Sequence, residues 1–191
     1  MKWGIVTFPG SNDDRDAWYC LETVLGQEAV LLWHKDQDLQ GVEAIVLPGG
    51  FSYGDYLRAG ALARFSPIMH SVVDFANAGG PVLGVCNGFQ ILCESGLLPG
   101  ALVRNRSLSF ICEWVSIRVE TTRTRFTSAC SAGECLSIPI KHGEGCYVAD
   151  TDTVQSLTDN DQIVFRYVNE AGEAERAANP NGALHNIAGV T

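Results

Sequence analysis

The residues best suited to chemistry stand together at Gly84-Val85-Cys86-Asn87-Gly88, where the apolar run Pro81–Val85 passes straight into a helical pattern. A thiol with small residues two positions to either side has the form of a nucleophile elbow. The backbone there can make a tight, strained turn that projects Cys86 outward. The N-terminus of the following helix supplies N–H groups and a positive potential. Such a setting lowers a thiol pKa from about 8.5 to between about 3.5 and 7.5, which makes thiolate available near neutral pH. Taken without that context, Cys86 reads as a small buried hydrophobe.

A thiolate attacking a carbonyl needs donors aimed at the developing oxyanion. Two sources are in hand: the backbone N–H of Asn87, and that of Gly50 or Phe51 after the turn Pro48-Gly49-Gly50. On its own that turn reads as an ordinary strand end. The chemistry also calls for a base. His34 and His70 have no glutamate at H-x-E spacing, and His185 reads as a surface residue near a strand start. His142 with Glu144 has that spacing, and on composition alone the two would be base and orienter.

The elements that must position these groups follow from the apolar pattern. Lys2–Phe8, Glu28–Trp33, Val42–Leu47 and Pro81–Val85 are short apolar runs bounded by turn residues, as buried strands are. Between them, Ser11 or Asn12 is placed to cap a helix with an apolar stripe of Ala17, Trp18, Leu21, Val24 and Leu25. Ser66-Pro67 opens a second helix that turns Ile68, Met69, Val72, Val73 and Phe75 inward, and Asn87 or Gly88 to Ser95 forms a third. Alternation of strand and helix predicts an α/β fold with a mostly parallel, doubly wound, flavodoxin-like sheet, and ligands at the carboxyl ends of its strands. The second half changes character: Trp114–Glu120, Leu136–Ile140 and Gln162–Val168 are β-type runs with little helical periodicity between them, a mixed or antiparallel extension. Asn179-Pro180-Asn181-Gly182 is a turn, and Ile187–Val190 can start another strand.

Length and charge narrow the function classes. A chain of 191 residues is expected to form a single domain over 1–191. Lys and Arg number 13 against 22 Asp and Glu, a formal charge of −9 that argues against a nucleic-acid partner. No apolar run approaches the roughly 20 residues of a membrane span. The seven cysteines, an odd number without C-x-x-C spacing, predict a reducing cytoplasm, mostly buried thiols and no zinc site.

Val46–Arg64 (V-L-P-G-G-F-S-Y-G-D-Y-L-R-A-G-A-L-A-R) together with Gly84–Leu92 (G-V-C-N-G-F-Q-I-L) resembles the class I, or triad, glutamine amidotransferases. Phe8–Asp16, Leu97–Phe110, His142–Gly145 and Asn179–Gly182 narrow the likeness to the glutaminase subunits of phosphoribosylformylglycinamidine synthases. The resemblance spans essentially the whole chain. It implies hydrolysis of glutamine to glutamate and ammonia through a thioester on Cys86, with Gly50 and Asn87 as oxyanion donors. It also implies that Gln90 helps position glutamine, and that Phe51, Asn105, Ser107 and Phe110 border the pocket. Asn105 and Ser107 read equally as loop-capping residues. The partners implied are a large synthetase subunit that binds ATP and magnesium and a small accessory subunit, with no cofactor in this chain.

Two departures stand out. Cys146 occupies a position where the family usually has arginine, and the M-P-H-P-E-like segment with the histidine base and its glutamate is expected beyond Thr191. The resemblance assigns H-G-E-G to the loop facing the synthetase rather than to the triad. Two other readings share the fold: a scaffold or regulatory partner without catalysis, and a cysteine-dependent hydrolase of the related elbow-cysteine superfamily.

Overall fold

Four of the apolar runs become a parallel sheet in the computed structural model, which describes residues 1–191 as two compact units, Met1–Leu97 and Leu98–Thr191. In the first unit the strands are β1 (Lys2–Thr7), β2 (Glu28–Trp33), β3 (Ala44–Leu47) and β4 (Val82–Gly84), in the order β2-β1-β3-β4 with every pairing parallel. The central strand β3 is buried along its whole length, as a strand covered on both faces must be. Helices α1 (Asp14–Tyr19) and α2 (Pro67–Asn77) lie between strands of the sheet and α3 (Asn87–Glu94) follows β4, and Ile68, Met69, Val72, Ile91 and Leu92 bury their side chains.

The first helix departs from the expected stripe. After Tyr19 the chain continues as a π turn over Cys20–Val24, closed by Leu25 N–H donating to the Cys20 carbonyl five residues back. The wider turn breaks the 3.6-residue phase. Leu21 stays inside, packed with Ile5, Ala29 and Val46, whereas Val24 and Leu25 are 64% and 58% exposed. The capping expectation is also corrected. Asp13 is the residue before the helix, and the Ser11 hydroxyl accepts from Phe8 N–H instead.

The second unit has two sheets of its own. Strands β6 (Ile111–Val119), β7 (Cys135–His142), β9 (Ile163–Val168) and β10 (Ile187–Val190) form an antiparallel sheet in the order β10-β9-β6-β7. The short strands β5 (Ala101–Val103) and β8 (Cys146–Val148) pair antiparallel, with Cys146 opposite Val103. Its core includes Ile117, Val119, Tyr147, Leu157, Ile163, Tyr167 and Ile187.

A helix stands where little helical periodicity was expected: α4 (Thr151–Asp159), capped by the Asp150 carboxylate accepting from Thr153 N–H at 2.7 Å. Only Leu157 of α4 is buried, so its apolar face is too thin to mark it. No helix is long and apolar enough to cross a membrane. The thiols are less buried than expected: Cys20, Cys112 and Cys135 are exposed, and only Cys146 is fully buried.

Candidate active site

Cys86 sits between β4 and α3 at φ 53° and ψ −109°. A non-glycine residue rarely adopts such a conformation, which costs about 1–3 kcal/mol and persists only where its surroundings enforce it. The surroundings here are close backbone contacts. Val85 N–H donates to the Leu47 carbonyl at 3.0 Å, and a Cβ on Gly88 would overlap that same carbonyl oxygen. A Cβ on Gly84 would meet the Gly88 backbone at 2.7 Å. The two small residues flanking the thiol are therefore required by the approach of α3 to the end of β3.

The turn after β3 lies beside the nucleophile. A Cβ on Gly49 would come within 3.5 Å of Cys86 Cβ and would overlap the Asp13 carboxylate. Gly50, at φ 146°, faces Ser11 in an isolated antiparallel bridge. Asn12 N–H donates to the Gly49 carbonyl at 3.2 Å, and Phe51 N–H donates to the Gly10 carbonyl at 2.8 Å. In that pattern the Gly50 N–H takes no part in the bridge. Phe51 N–H is thus committed to the bridge whereas Gly50 N–H is not, and Asn87 N–H lies in the first turn of α3.

The Asn87 side chain ties the start of α3 to the loop after β3. Asn87, buried, accepts from Ser52 N–H through Oδ1 at 3.2 Å and donates from Nδ2 to Gln90 Oε1 at 2.8 Å. The carboxamide of Gln90 is buried, and its oxygen serves this bond. The Phe51 side chain is exposed. Beyond it, Tyr53, Gly54 and Asp55 are three successive left-handed residues, followed by Leu57 at φ 70°. Arg58 grips Glu94 of α3 with two bonds of 2.6 Å. Neither the left-handed run nor its anchors were legible in the motif.

Asn105, Ser107 and Phe110 belong to the second unit. Asn105 is fully buried, and its carboxamide makes four internal bonds: Nδ2 donates to the Ser109 and His142 carbonyls, and Oδ1 accepts from Gly145 N–H and His142 Nδ1. That is the full capacity of an asparagine side chain. Ser107 Oγ accepts from Ser109 N–H, and Phe110 is exposed. His142 Nε2 is buried without a hydrogen-bond partner, and burial holds the ring's pKa below its ordinary value, against smaller upward effects of its own carbonyl and Glu113. Glu144 lies 3.8 Å from Arg104.

The cysteines differ in reactivity. Burial, reinforced by neighbouring Glu94, pushes the Cys93 thiol up to about 12, and burial raises Cys146 as well. Neither would be a nucleophile near neutral pH.

A sequence profile of the CobB/CobQ-like glutamine amidotransferase domain matches residues 1–191. The chain belongs to the glutamine amidotransferase family. Within that family it is 57% identical over 190 residues to the phosphoribosylformylglycinamidine synthase subunit PurQ of Synechocystis sp., covering 100% of this chain and 85% of the relative. It is 56% identical to PurQ of Moorella thermoacetica, covering 100% and 80%. A solved structure of PurLQS from Thermotoga maritima contains a chain 44% identical to this amidotransferase, with a TM-score of 0.85 over 99% of it and 80% of the solved chain. The likeness thus embraces both units and extends from sequence to fold.

Proposed function

We propose that this amidotransferase is the glutaminase subunit of a phosphoribosylformylglycinamidine synthase. The Cys86 thiolate attacks the carboxamide carbon of glutamine, and the oxyanion is met by the N–H groups of Gly50 and Asn87. The C–N bond then breaks, and the nitrogen leaves with an added proton as ammonia. Water attacks the resulting thioester, which releases glutamate and restores the thiol. Within the first unit, Gln90 and Phe51 are the residues we assign to the glutamine pocket. In the family the proton shuttle is a histidine with its glutamate, carried after the I-A-G strand.

Ammonia passes to a large synthetase subunit that uses ATP and magnesium to turn formylglycinamide ribonucleotide into the amidine, in company with a small accessory subunit. The reading places the protein in the cytoplasm. The observation that carries it is the left-handed Cys86 held beneath the Pro48-Gly49-Gly50 turn. Identities of 57% and 56% along the whole of this chain to two PurQ subunits support the choice of synthase.

The test is ammonia release from glutamine by the subunit, assayed with and without the synthetase. Cys86→Ser is expected to remove activity by several orders of magnitude while leaving the fold intact. A glutamine-analogue electrophile is expected to label Cys86 alone of the seven cysteines. Equal labelling of Cys20, Cys112 and Cys135, which are exposed, would count against the assignment.

A further inference from the structure

Ser66 occupies the residue position that caps α2, yet its hydroxyl makes no cap bond. It lies instead 2.7 Å from the Tyr53 hydroxyl, whose other side is 2.7 Å from His34 Nδ1. With neighbours at that distance on both sides, the phenol donates to one and accepts from the other. One hydroxyl therefore joins three elements: the residue after β2, the start of α2 and the loop after β3. His34 is 4% exposed, with the Trp33 ring edge-on at 4.5 Å and the Tyr53 ring edge-on at 5.6 Å, and its Nε2 is buried without a partner.

The arrangement leaves the start of α2 to a backbone cap, Ile68 N–H donating to the His34 carbonyl at 3.1 Å, and leaves the His34 Nε2 unpaired in the core. What it does secure is the left-handed run that begins at Tyr53, three residues after Gly50. Tyr53 N–H also donates to the Pro9 carbonyl at 2.7 Å, beside the Phe51-to-Gly10 bond that brackets Gly50. The Gly50 peptide is thus fixed upstream by Asn12 and downstream by Phe51 and Tyr53.

We propose that Tyr53, clamped through its hydroxyl by His34 and Ser66, is a positioning residue that holds the Gly49-Gly50-Phe51 turn with the Gly50 N–H aimed at the oxyanion. The proposal rests on the reading of Gly50 as an oxyanion donor. It separates two properties of the site: aim of the donor, which needs the latch, and nucleophilicity of Cys86, which does not.

Tyr53→Phe in the full-length subunit with its synthetase tests it. The glutaminase kcat is expected to fall about tenfold, a fraction of the loss on removing an oxyanion donor outright, with KM changed less than about twofold. Alkylation of Cys86 by iodoacetamide, a displacement at saturated carbon that builds no oxyanion, should keep its rate. Amide exchange over residues 50–55 should quicken and the rest of the chain stay protected. Ser66→Ala should follow Tyr53→Phe, and Ser66→Thr, which keeps the hydroxyl, should restore kcat.

An unchanged kcat overturns the proposal, as does a parallel loss of kcat and alkylation, or unchanged exchange over 50–55. Should the wild-type subunit release no ammonia, the glutaminase reading fails on its own. The exchange measurement then still decides the latch: local loss of protection keeps it, and none overturns it.

Discussion

Loops at strand ends are held by backbone contact, backed by the Asn87 carboxamide and the Tyr53 hydroxyl, in Met1–Leu97 and by asparagine carboxamides in Leu98–Thr191. In the first unit α3 approaches β3 so closely that Gly88 lies against the Leu47 carbonyl, and main-chain bonds fasten the turn at Gly50 to the residues after β1. In the second unit Asn105, Asn179, Asn181 and Asn186 reach between segments. Asn181 Nδ2 donates to the Gly145 carbonyl at 2.8 Å, and its Oδ1 accepts from Ala183 N–H at 3.0 Å. Asn186 Nδ2 donates to the Tyr167 and Glu175 carbonyls, and Asn179 Nδ2 to the Ala183 carbonyl. Backbone contact fixes a peptide's direction with nothing to rotate, which suits a turn that must aim an N–H. Carboxamides bridge longer gaps and satisfy irregular backbone that would otherwise be buried unpaired.

The largest effect should come from breaking the first kind of contact. Gly88→Ala sets a methyl group into the Leu47 carbonyl oxygen, and no flexible side chain is there to move aside. Either α3 or the end of β3 must shift, so overpacking is expected to cost about 3 kcal/mol. Because Cys86 and Gly50 ride on those two elements, glutaminase activity should fall more than a hundredfold even where the protein remains folded. Urea unfolding and ammonia release measure the two losses. A variant with wild-type activity would show that the elbow does not depend on this approach.

The strand-turn-helix at Cys86 was legible in the sequence because its parts are neighbours, small residues two positions from a thiol, after an apolar strand and before a helix; its contact with the distant Leu47 carbonyl was not. The parallel strands were legible for a similar reason, since burial on both faces leaves continuous apolar runs such as Ala44–Leu47. The rest depends on partners far apart in the chain. Tyr53 meets Ser66 across 13 residues and His34 across 19, and nothing in a tyrosine, a serine and a histidine at those intervals distinguishes a latch from three surface residues. Asn105 meets His142 across 37. Its polar character read equally as pocket or loop, and four internal bonds now account for the side chain. Helix α4 escaped notice because its stability comes from a cap at Asp150 and one buried leucine rather than from a periodic apolar face.

Breaking the second kind of contact should cost less and stay local. Asn181→Ala removes the partner of the Gly145 carbonyl and of Ala183 N–H, and each buried group left unpaired costs about 1–3 kcal/mol. A loss near the lower end of the summed range, about 2–3 kcal/mol, is expected because water can reach a loop that the missing side chain opens. Amide exchange should quicken around residues 143–145 and 181–183. Global unfolding of Leu98–Thr191 in response to this one change would mean that the carboxamides carry the second unit's core as well as its loops.

Each unit also encloses a histidine, and acid should find both with a smaller effect than either substitution. Burial lowers the pKa of His34 below its ordinary 6.5, with Lys35 adding to the effect and Asp36 opposing it; burial likewise lowers His142. Near pH 6.5 an unfolded chain takes up a proton on each ring while the folded chain resists, so stability falls as pH drops through this window. The contribution is fully present above about 6.5 and is lost as pH falls through the lower folded values. A melting temperature measured between pH 8 and 5.5 should therefore decline on the acid side. His34→Asn and His142→Asn, which keep a polar group near the Nδ1 position without a titrating ring, should each flatten part of the decline. The two differ in what acid loosens: protonated His34 unsettles the Tyr53 loop, and protonated His142 unsettles the segment around Asn105. Amide exchange at pH 5.5 should locate the two openings separately, and a melting curve as steep in the double variant as in the wild type would assign the acid sensitivity to other groups.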